Sequence, residues 1–175
     1  MSGRVEAIWT KRAHRGEMDA VDRVALVADG GIRDDANFGR KKRQVTVIEK
    51  EVFDRIREDL PDADPKMRRA NFMVSGIRLE ETRGHVLTLG GVRIRIYGET
   101  RPCHLMEEQC EGLQDALDAG WSGGAYGAVL DDGEVSVGDA ASIELEELDE
   151  SAGSTTEGDA AESESADDQA VSTDA

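Results

Sequence analysis

The most reactive side chain in this sequence is the thiol of Cys103, which directly follows Arg101 and Pro102. Pro102 fixes its own φ and biases Arg101 toward an extended conformation, so the backbone beside the thiol should be stiff. Arg101 places a positive charge close to the sulfur, which favours the thiolate form. A thiolate is a nucleophile, a persulfide carrier or a ligand for a soft metal. These residues alone leave the three chemistries open, together with a role in packing.

The other cysteine and the histidines form no metal-binding or catalytic constellation. Cys110 does not make a zinc-type pair with Cys103, and two cysteines suggest no disulfide framework, so we interpret Cys110 as a packing residue. His14, His85 and His104 are scattered without metal-ligand spacing. The common nucleotide-binding, serine-hydrolase and zinc-protease motifs are absent. No lysine stands in a context typical of a pyridoxal phosphate Schiff base, so no such site is predicted.

The segments that must position Cys103 are mainly short strands. Alternating or β-branched apolar runs predict strands over residues 4–10, 21–27, 44–48, 72–74, 85–89, 92–96, 126–130, 134–137 and 141–145. Helical spacing predicts a helix over 51–60, stopped by Pro61, and a weaker one over 107–119. The sequence Asp131-Asp132-Gly133 predicts a hairpin, and residues 98–103 should form a loop at a strand end. The expected fold class is mainly β with short helices (α+β), in a β-barrel or folded sheet.

Charge is distributed very unevenly along the chain. All 21 Lys and Arg fall at or before Arg101 with 17 of the 38 Asp and Glu, which gives this part +4, and the other 21 acids follow it. The net charge of −17 would repel phosphate backbones, so nucleic acid is not an expected partner. The acidity, with Arg outnumbering Lys, also suggests a halophilic protein, because concentrated salt screens self-repulsion.

Composition predicts one domain over residues 1–147 and an acidic disordered tail over 148–175. The tail has Val171 as its only sizeable aliphatic residue, so it cannot bury enough apolar surface to offset its ordering entropy. The first residues carry charge and do not resemble a signal peptide. No stretch is long and apolar enough to span a membrane. The expectation is therefore a cytoplasmic protein without a membrane partner.

Five segments, in order over about residues 3–147, resemble motifs of the MOSC family, named after the C-terminal domain of molybdenum cofactor sulfurases. They are Gly30-Gly31-Ile32-Arg33-Asp34-Asp35 followed by Arg43-Gln44-Val45, residues 69–77 (RANFMVSGI), Arg101-Pro102-Cys103, residues 121–126 (WSGGAY) and residues 132–139 (DGEVSVGD). Stand-alone members often carry a Gly and a His where this chain has Asp34 and Asn37. A proton-transfer role of that His is therefore in doubt here.

The resemblance implies a MOSC-type β-barrel-like domain that binds a molybdenum cofactor (molybdopterin, or its tungsten form). Cys103 would be the catalytic residue and metal ligand. Arg69, Asn71 and Arg101 match the family's cofactor-contacting motifs, and Arg43 is a further candidate. Guanidinium groups suit a phosphate, and an amide suits a pterin edge. Arg40, Lys41 and Lys42 are interpreted as a solvated loop, and Val74 and Ile77 as core.

The implied activity is reduction of N-hydroxylated or other N-oxygenated small molecules by a molybdenum-dependent oxidoreductase. A separate electron-donor protein is expected, because no flavin, haem or Fe–S motif occurs. One alternative is a non-catalytic carrier of the molybdenum cofactor or of a persulfide sulfur on Cys103. Another is a metal-free β-domain that binds a small ligand or a protein, which the replacements at Asp34 and Asn37 would favour. Turnover of hydroxylamine-type compounds separates the enzyme from the carrier.

Overall fold

The computed structural model describes residues 2–144, so the tail predicted over 148–175 lies outside the described residues. The strands are β1 (Ser2–Lys11), β2 (Met18–Val21), β3 (Arg23–Val27), β4 (Gly31–Ile32), β5 (Val45–Glu49), β6 (Phe72–Ser75), β7 (Val86–Leu89), β8 (Val92–Glu99), β9 (Ala125–Val129), β10 (Gly133–Ser136) and β11 (Ala140–Glu144). The helices are α1 (Lys50–Asp59), a 3-10 helix (Pro65–Arg68), α2 (His104–Gln109) and α3 (Leu113–Leu117). None of the described helices is long and apolar enough to cross a membrane.

Seven strands close into a barrel in the order β11-β7-β8-β9-β5-β6-β1, because β1 also pairs with β11. All of these pairs are antiparallel except β5–β6, which is parallel. The second half of β1 continues past the barrel and pairs with β2, with Trp9 opposite Ala20. β3, β4 and β10 form a separate three-stranded sheet. The expectation of a mainly β, barrel-like fold with short helices is confirmed.

Two apolar cores explain why the helices lie where they do. One fills the barrel, where alternation along β8 points Val92, Ile94 and Ile96 inward. The other lies outside the barrel wall, where Met106 of α2 packs with Phe53 of α1 and with Leu113 and Leu117 of α3. Burial of a side chain of this size contributes about 1.5–3 kcal/mol. The second core therefore fixes the helices, and with them the segment that carries Cys103.

Most predicted strands are confirmed, but the hairpin after β9 is not. β9 pairs with β5 and β8, whereas β10 pairs with β3. The Asp131 carboxylate instead accepts hydrogen bonds from the backbone N–H and guanidinium of Arg93, at 2.9–3.0 Å. Asp132 Oδ1 accepts the backbone N–H of Ala28 at 2.8 Å. The two carboxylates thus direct the chain from the barrel into the three-stranded sheet.

Three other boundaries differ from the sequence expectations. The predicted helix over 107–119 is split into α2 and α3 at Gly112, which has φ +91° and whose N–H donates to the Glu107 carboxylate. The apolar run over 21–27 is split at Asp22, because β2 pairs with β1 and β3 with β10. β8 extends to Glu99 because Gly98 still pairs with Tyr126 across a bulge. The loop before Cys103 is therefore shorter than the predicted 98–103.

Candidate functional site

Cys103 is exposed and lies at the N-terminal boundary of α2, where its carbonyl accepts the backbone N–H of Met106 at 2.9 Å. The short loop leading to it is anchored by Thr100, which is buried. The Thr100 N–H donates to the Gly124 carbonyl at 2.8 Å, and its hydroxyl donates to the Gly123 carbonyl at 2.6 Å. Cys103 is thus held between a buried anchor and a packed helix, with its side chain accessible.

The Gly123-Gly124 pair is required by close approach of the backbone. A Cβ at Gly123 would lie 2.3 Å from the Thr100 carbonyl oxygen. A Cβ at Gly124 would lie 2.2 Å from the Val47 carbonyl oxygen, and Gly124 has a φ of +99°. Such contacts exclude any side chain unless the backbone moves. This pair therefore lets the backbone at Thr100 and the backbone of β5 at Val47 both approach the same short segment closely.

Beside Cys103 lies a cavity of about 330 Å³, which we call the cationic cavity. Its cationic lining residues are Lys11, Arg15, Arg40, Arg43, Arg68 and Arg69. His14 and Asn37 line it as well, and no Asp or Glu of the described chain does. Within residues 2–144, none of the six cations has a carboxylate oxygen within 4.0 Å. A concentration of unpaired guanidinium groups of this kind favours an anionic ligand.

Arg68 is the most deeply buried charge in this cavity, with 4% of its surface exposed. Its Nε donates to the Gly123 carbonyl at 2.8 Å, so the same carbonyl holds both Arg68 and Thr100. Its Nη2 is buried without a hydrogen-bond partner among the described residues. Burial lowers the pKa of Arg68 to about 10, with Arg43 adding and Cys103 opposing. A buried guanidinium N–H left unpaired is costly unless a ligand accepts it.

Lys11 and Arg43 also experience the crowding of positive charge. Burial lowers the pKa of Lys11, with Arg69 and Arg40 among the cations that add to the effect and Asp35 opposing it. Burial similarly lowers the pKa of Arg43, with Arg40 adding and Cys103 among the groups that oppose it. The guanidinium of Arg43 also lies 5.7 Å from the ring centre of Tyr126. Holding these cations together without an anion therefore costs free energy.

A buried hydrogen-bond network supports the cavity from behind. Asn71, 1% exposed, accepts the Thr46 N–H at 3.1 Å and donates to the Trp9 carbonyl at 3.1 Å and to Asp35 at 3.4 Å. Asp35 in turn accepts the backbone N–H groups of Lys11 and Asn37, both at 2.9 Å. These bonds tie the end of β1, the start of β5 and the 35–37 loop together. They set the backbone from which Lys11 and Asn37 reach the cavity.

The structure brings together three of the five residues predicted for the site. Cys103, Arg43 and Arg69 all line the cationic cavity, and Arg69 is fixed by donation from Nη2 to the Gly16 carbonyl at 2.8 Å. Asn71 does not line the cavity, and the network described above occupies its amide. Arg101 is also outside the lining, exposed and 3.5 Å from Asp118. The geometry gives Asn71 a supporting position rather than a contacting one.

Sequence reasoning missed Arg68, Lys11, Arg40 and Arg15, and it treated His14 as unrelated to the site. Arg40 belongs to the run interpreted as a solvated loop; it is exposed, yet it lines the cavity. The Arg68-Arg69 pair was the available signal, because two adjacent guanidinium groups precede the Asn71 motif. Arg69 adopts a left-handed φ of 65°, and the two side chains reach different partners, Gly123 and Gly16. Local spacing does not reveal that divergence.

A larger cavity of about 530 Å³ lies elsewhere, between α1, the end of β6 and Trp121. Its charged lining is mixed, with carboxylates such as Glu49 and Glu80 beside Arg55 and Arg78. Burial raises the pKa of Glu49. This cavity contains no cysteine and none of the predicted site residues. The predicted residues Cys103, Arg43 and Arg69 therefore lie together at the smaller, cationic cavity.

The donor atoms of the cavity fit a pterin-bound metal better than a free ion. Among residues 2–144, no group of three His, Cys, Asp or Glu side chains could hold a metal ion. A metal held by Cys103 must therefore arrive with most of its other ligands. A pterin cofactor supplies sulfur ligands of its own and carries a phosphate, to which the cationic side chains of the cavity can donate hydrogen bonds. The residues present therefore fit the group that the sequence resemblance implies.

A family model described as the MOSC domain matches residues 34–142, a range that includes Arg43, Arg69 and Cys103. The chain belongs to the MOSC domain family. Within the family pattern, the left-handed φ of 71° at Asp34 explains why relatives often have glycine there. Asn37, which replaces the relatives' histidine, lines the cavity.

Solved structures share the MOSC fold at low sequence identity. The YuaD protein from Bacillus subtilis has a TM-score of 0.73 and 21% identity, covering 83% of this chain and 97% of that one. YiiM from Escherichia coli has a TM-score of 0.63 and 15% identity, and the match covers 85% of this chain and 72% of the YiiM chain. YiiM from Geobacillus stearothermophilus has a TM-score of 0.62 and 16% identity, covering 83% and 75%. No curated protein matches by sequence.

Proposed function

We propose that this MOSC protein binds a molybdenum cofactor and reduces N-oxygenated small molecules with electrons from a separate donor protein. The observation that carries the proposal is the position of Cys103, an exposed thiol at a cavity lined by six cationic side chains. A soft-metal ligand next to an anion-binding cavity is what a phosphorylated, metal-bearing cofactor needs. The volume, about 330 Å³, lies at the small end of the range for ligand cavities.

Each part of the cavity has a defined task under this proposal. Cys103 would hold the metal, and Lys11, Arg40 and Arg69 would hold the phosphate. When bound, the cofactor supplies a metal that changes oxidation state. Arg43 lies close enough to Cys103 to offset negative charge there. The hydrogen-bond network of Asn71 and Asp35 fixes the backbone from which Lys11 and Asn37 reach the cavity.

Proton supply is the task for which this chain departs from its relatives. Asn37 cannot act as a general acid or base at the position where they often have histidine. His14 also lines the cavity, and the ring nitrogens of an imidazole can both carry and accept a proton. Within the described lining, His14 is the residue best suited to deliver a proton to the reacting nitrogen or oxygen.

A carrier function is the second candidate, and the exposure of Cys103 favours it. An accessible sulfur can transfer a cofactor or a persulfide sulfur to another protein. A carrier needs the same metal or sulfur loading but no turnover. Metal loading therefore does not distinguish the enzyme from the carrier, and turnover of a substrate does.

The first test is elemental analysis for molybdenum and tungsten on full-length protein from a cofactor-making host. Cys103→Ala should lose the metal, because the ligand is gone. Cys110→Ala is the matched control, since Cys110 packs in the second core, and it should retain the metal. Equal metal in the original protein and in Cys103→Ala would overturn the assigned ligand. In the second test, loaded protein should consume a hydroxylamine-type compound with an artificial reductant, and loading without turnover would leave the carrier.

A further inference from the structure

Arg68 lines the cationic cavity and carries a donor that its protein neighbours leave without a partner. Its Nε is committed to the Gly123 carbonyl, and its Nη1 lies 4.0 Å from the sulfur of Met106. The remaining nitrogen of this guanidinium, Nη2, is buried and has no hydrogen-bond partner among the described residues, in a side chain that is 4% exposed. One edge of the guanidinium is therefore anchored, and a donor remains for a group in the cavity. No motif in the sequence identified this residue.

The neighbouring arginines Arg68 and Arg69 both line the cavity, but they are anchored at different points of the backbone. Arg68 donates to the Gly123 carbonyl and Arg69 donates to the Gly16 carbonyl, each at 2.8 Å. The left-handed φ of 65° at Arg69 accounts for this division, because it sends the two side chains to different partners. The charges of Arg43 and Cys103 act on Arg68, and those of Arg69 and Arg40 are among the charges that act on Lys11. The cations of the cavity therefore divide into a group at Arg68 and a group at Arg69.

We propose that Arg68 and Arg43 form an anion subsite beside Cys103, separate from the phosphate-binding end at Lys11, Arg40 and Arg69, and that this subsite binds the substrate through an anionic oxygen. The substrate class is therefore small oxyanions, such as molecules with a carboxylate or an ionised N–O oxygen. The assignment to substrate rests on the proposed function. The existence of two anion subsites in one cavity does not depend on the proposed function.

Charge balance supports a second anion. A phosphate monoester brings about −1.5 to −2 charges at neutral pH, and Cys103 brings at most one more, against six cations without carboxylate partners among residues 2–144. A surplus of positive charge therefore remains with the cofactor's phosphate in place. Burial, with neighbouring guanidinium groups adding to it, already lowers the pKa of Lys11 and Arg43. A second anion would offset that repulsion and accept the unpaired N–H of Arg68.

The test is calorimetric titration of full-length protein with inorganic phosphate. Protein from a host that does not make the cofactor should bind two phosphates per chain, and cofactor-loaded protein should bind one. In cofactor-free protein, Arg68→Gln should weaken one of the two sites at least about tenfold, as loss of a charge-assisted hydrogen bond predicts. Arg69→Gln should weaken the other site. Arg101→Gln removes an arginine outside the cavity and should change neither.

Two further variants keep the outcome decisive. Arg68→Lys retains the charge without the forked donors, so it should weaken the site beside Cys103 less than Arg68→Gln and covers the case in which Arg68→Gln does not fold. Cys103→Ala should lose the metal yet still bind two phosphates, which separates failure of the subsite from failure of the cofactor assignment. A single phosphate per cofactor-free chain, or equal affinities in Arg68→Gln and Arg101→Gln, would overturn the proposal.

Discussion

The Gly123 carbonyl is the point at which the fold and the site are joined, so Gly123→Ala tests both. A Cβ there would lie 2.3 Å from the Thr100 carbonyl oxygen, and it would disturb the hydrogen bonds from Thr100 and Arg68 at 2.6 and 2.8 Å. Overpacking of this kind costs about 1–3 kcal/mol, and each disturbed hydrogen bond about 0.5–1.5 kcal/mol. We expect a loss of about 3 kcal/mol in the free energy of unfolding, or roughly 6–12 °C in melting temperature.

The assay is urea unfolding followed by fluorescence, with phosphate titration of the folded variant. Gly120→Ala is the matched control, because a Cβ at Gly120 meets no atom within 4 Å and the residue lies in the same segment. The control should unfold near the original midpoint. In Gly123→Ala, the phosphate site beside Cys103 should weaken more than the other, because Arg68 loses its anchor. If both variants unfolded at the same urea concentration, the close-approach argument for Gly123 would be refuted.

Two further predictions concern charge. Lys11→Met should stabilise ligand-free protein at pH 7, because burial, with neighbouring guanidinium groups adding and Asp35 opposing, lowers the pKa of Lys11. The unfolded chain binds the Lys11 proton more tightly than the folded chain does. The stability advantage of Lys11→Met should therefore shrink as pH rises from the folded pKa of Lys11 toward its ordinary value of 10.5. Urea unfolding of both proteins across this pH range measures the advantage, and an advantage that grew with pH would contradict a lowered pKa of Lys11. The melting temperature of the full chain should rise from about 0.1 M to about 2 M KCl, because salt screens the repulsion of a −17 chain; unfolding or precipitation at the higher concentration would count against the halophilic interpretation.

The strands could be predicted where burial alternates locally, and the errors occur where a side chain has a distant partner. The alternation of Val92, Ile94 and Ile96 encodes the barrel-facing side of β8 without reference to any other segment. Asp131, in contrast, reads as a turn residue, but its carboxylate binds Arg93, 38 residues earlier. A turn motif specifies a local bend and says nothing about which strand pairs next. The hairpin was therefore wrong although the turn residues were identified correctly.

The candidate site shows the same division between local and long-range information. The common location of Cys103, Arg43 and Arg69 at one cavity could be predicted, because family motifs carry these residues at fixed positions. Arg68 could not, because its orientation depends on the Gly123 carbonyl, 55 residues away. Asn71 was expected at the pterin, but its amide is held by backbone and side-chain groups from three other segments. A motif identifies that a residue matters, and only the packing shows whether it touches a ligand.

The net charge of the whole chain does not describe the charge at the cationic cavity. A net charge of −17 suggests that the chain as a whole repels anions. All six cations of the cavity, however, come from the part at or before Arg101, which is net positive. Interactions between exposed charges are screened beyond about 8 Å at physiological ionic strength, so a ligand inside the cavity senses its own lining far more than the distant acids. Concentrated salt would shorten that screening distance further. It would weaken the attraction of an anion to the exposed Arg15 and Arg40 more than its attraction to the buried Arg68. A buried, anchored guanidinium is therefore the kind of anion-binding group whose interaction with a ligand concentrated salt screens least.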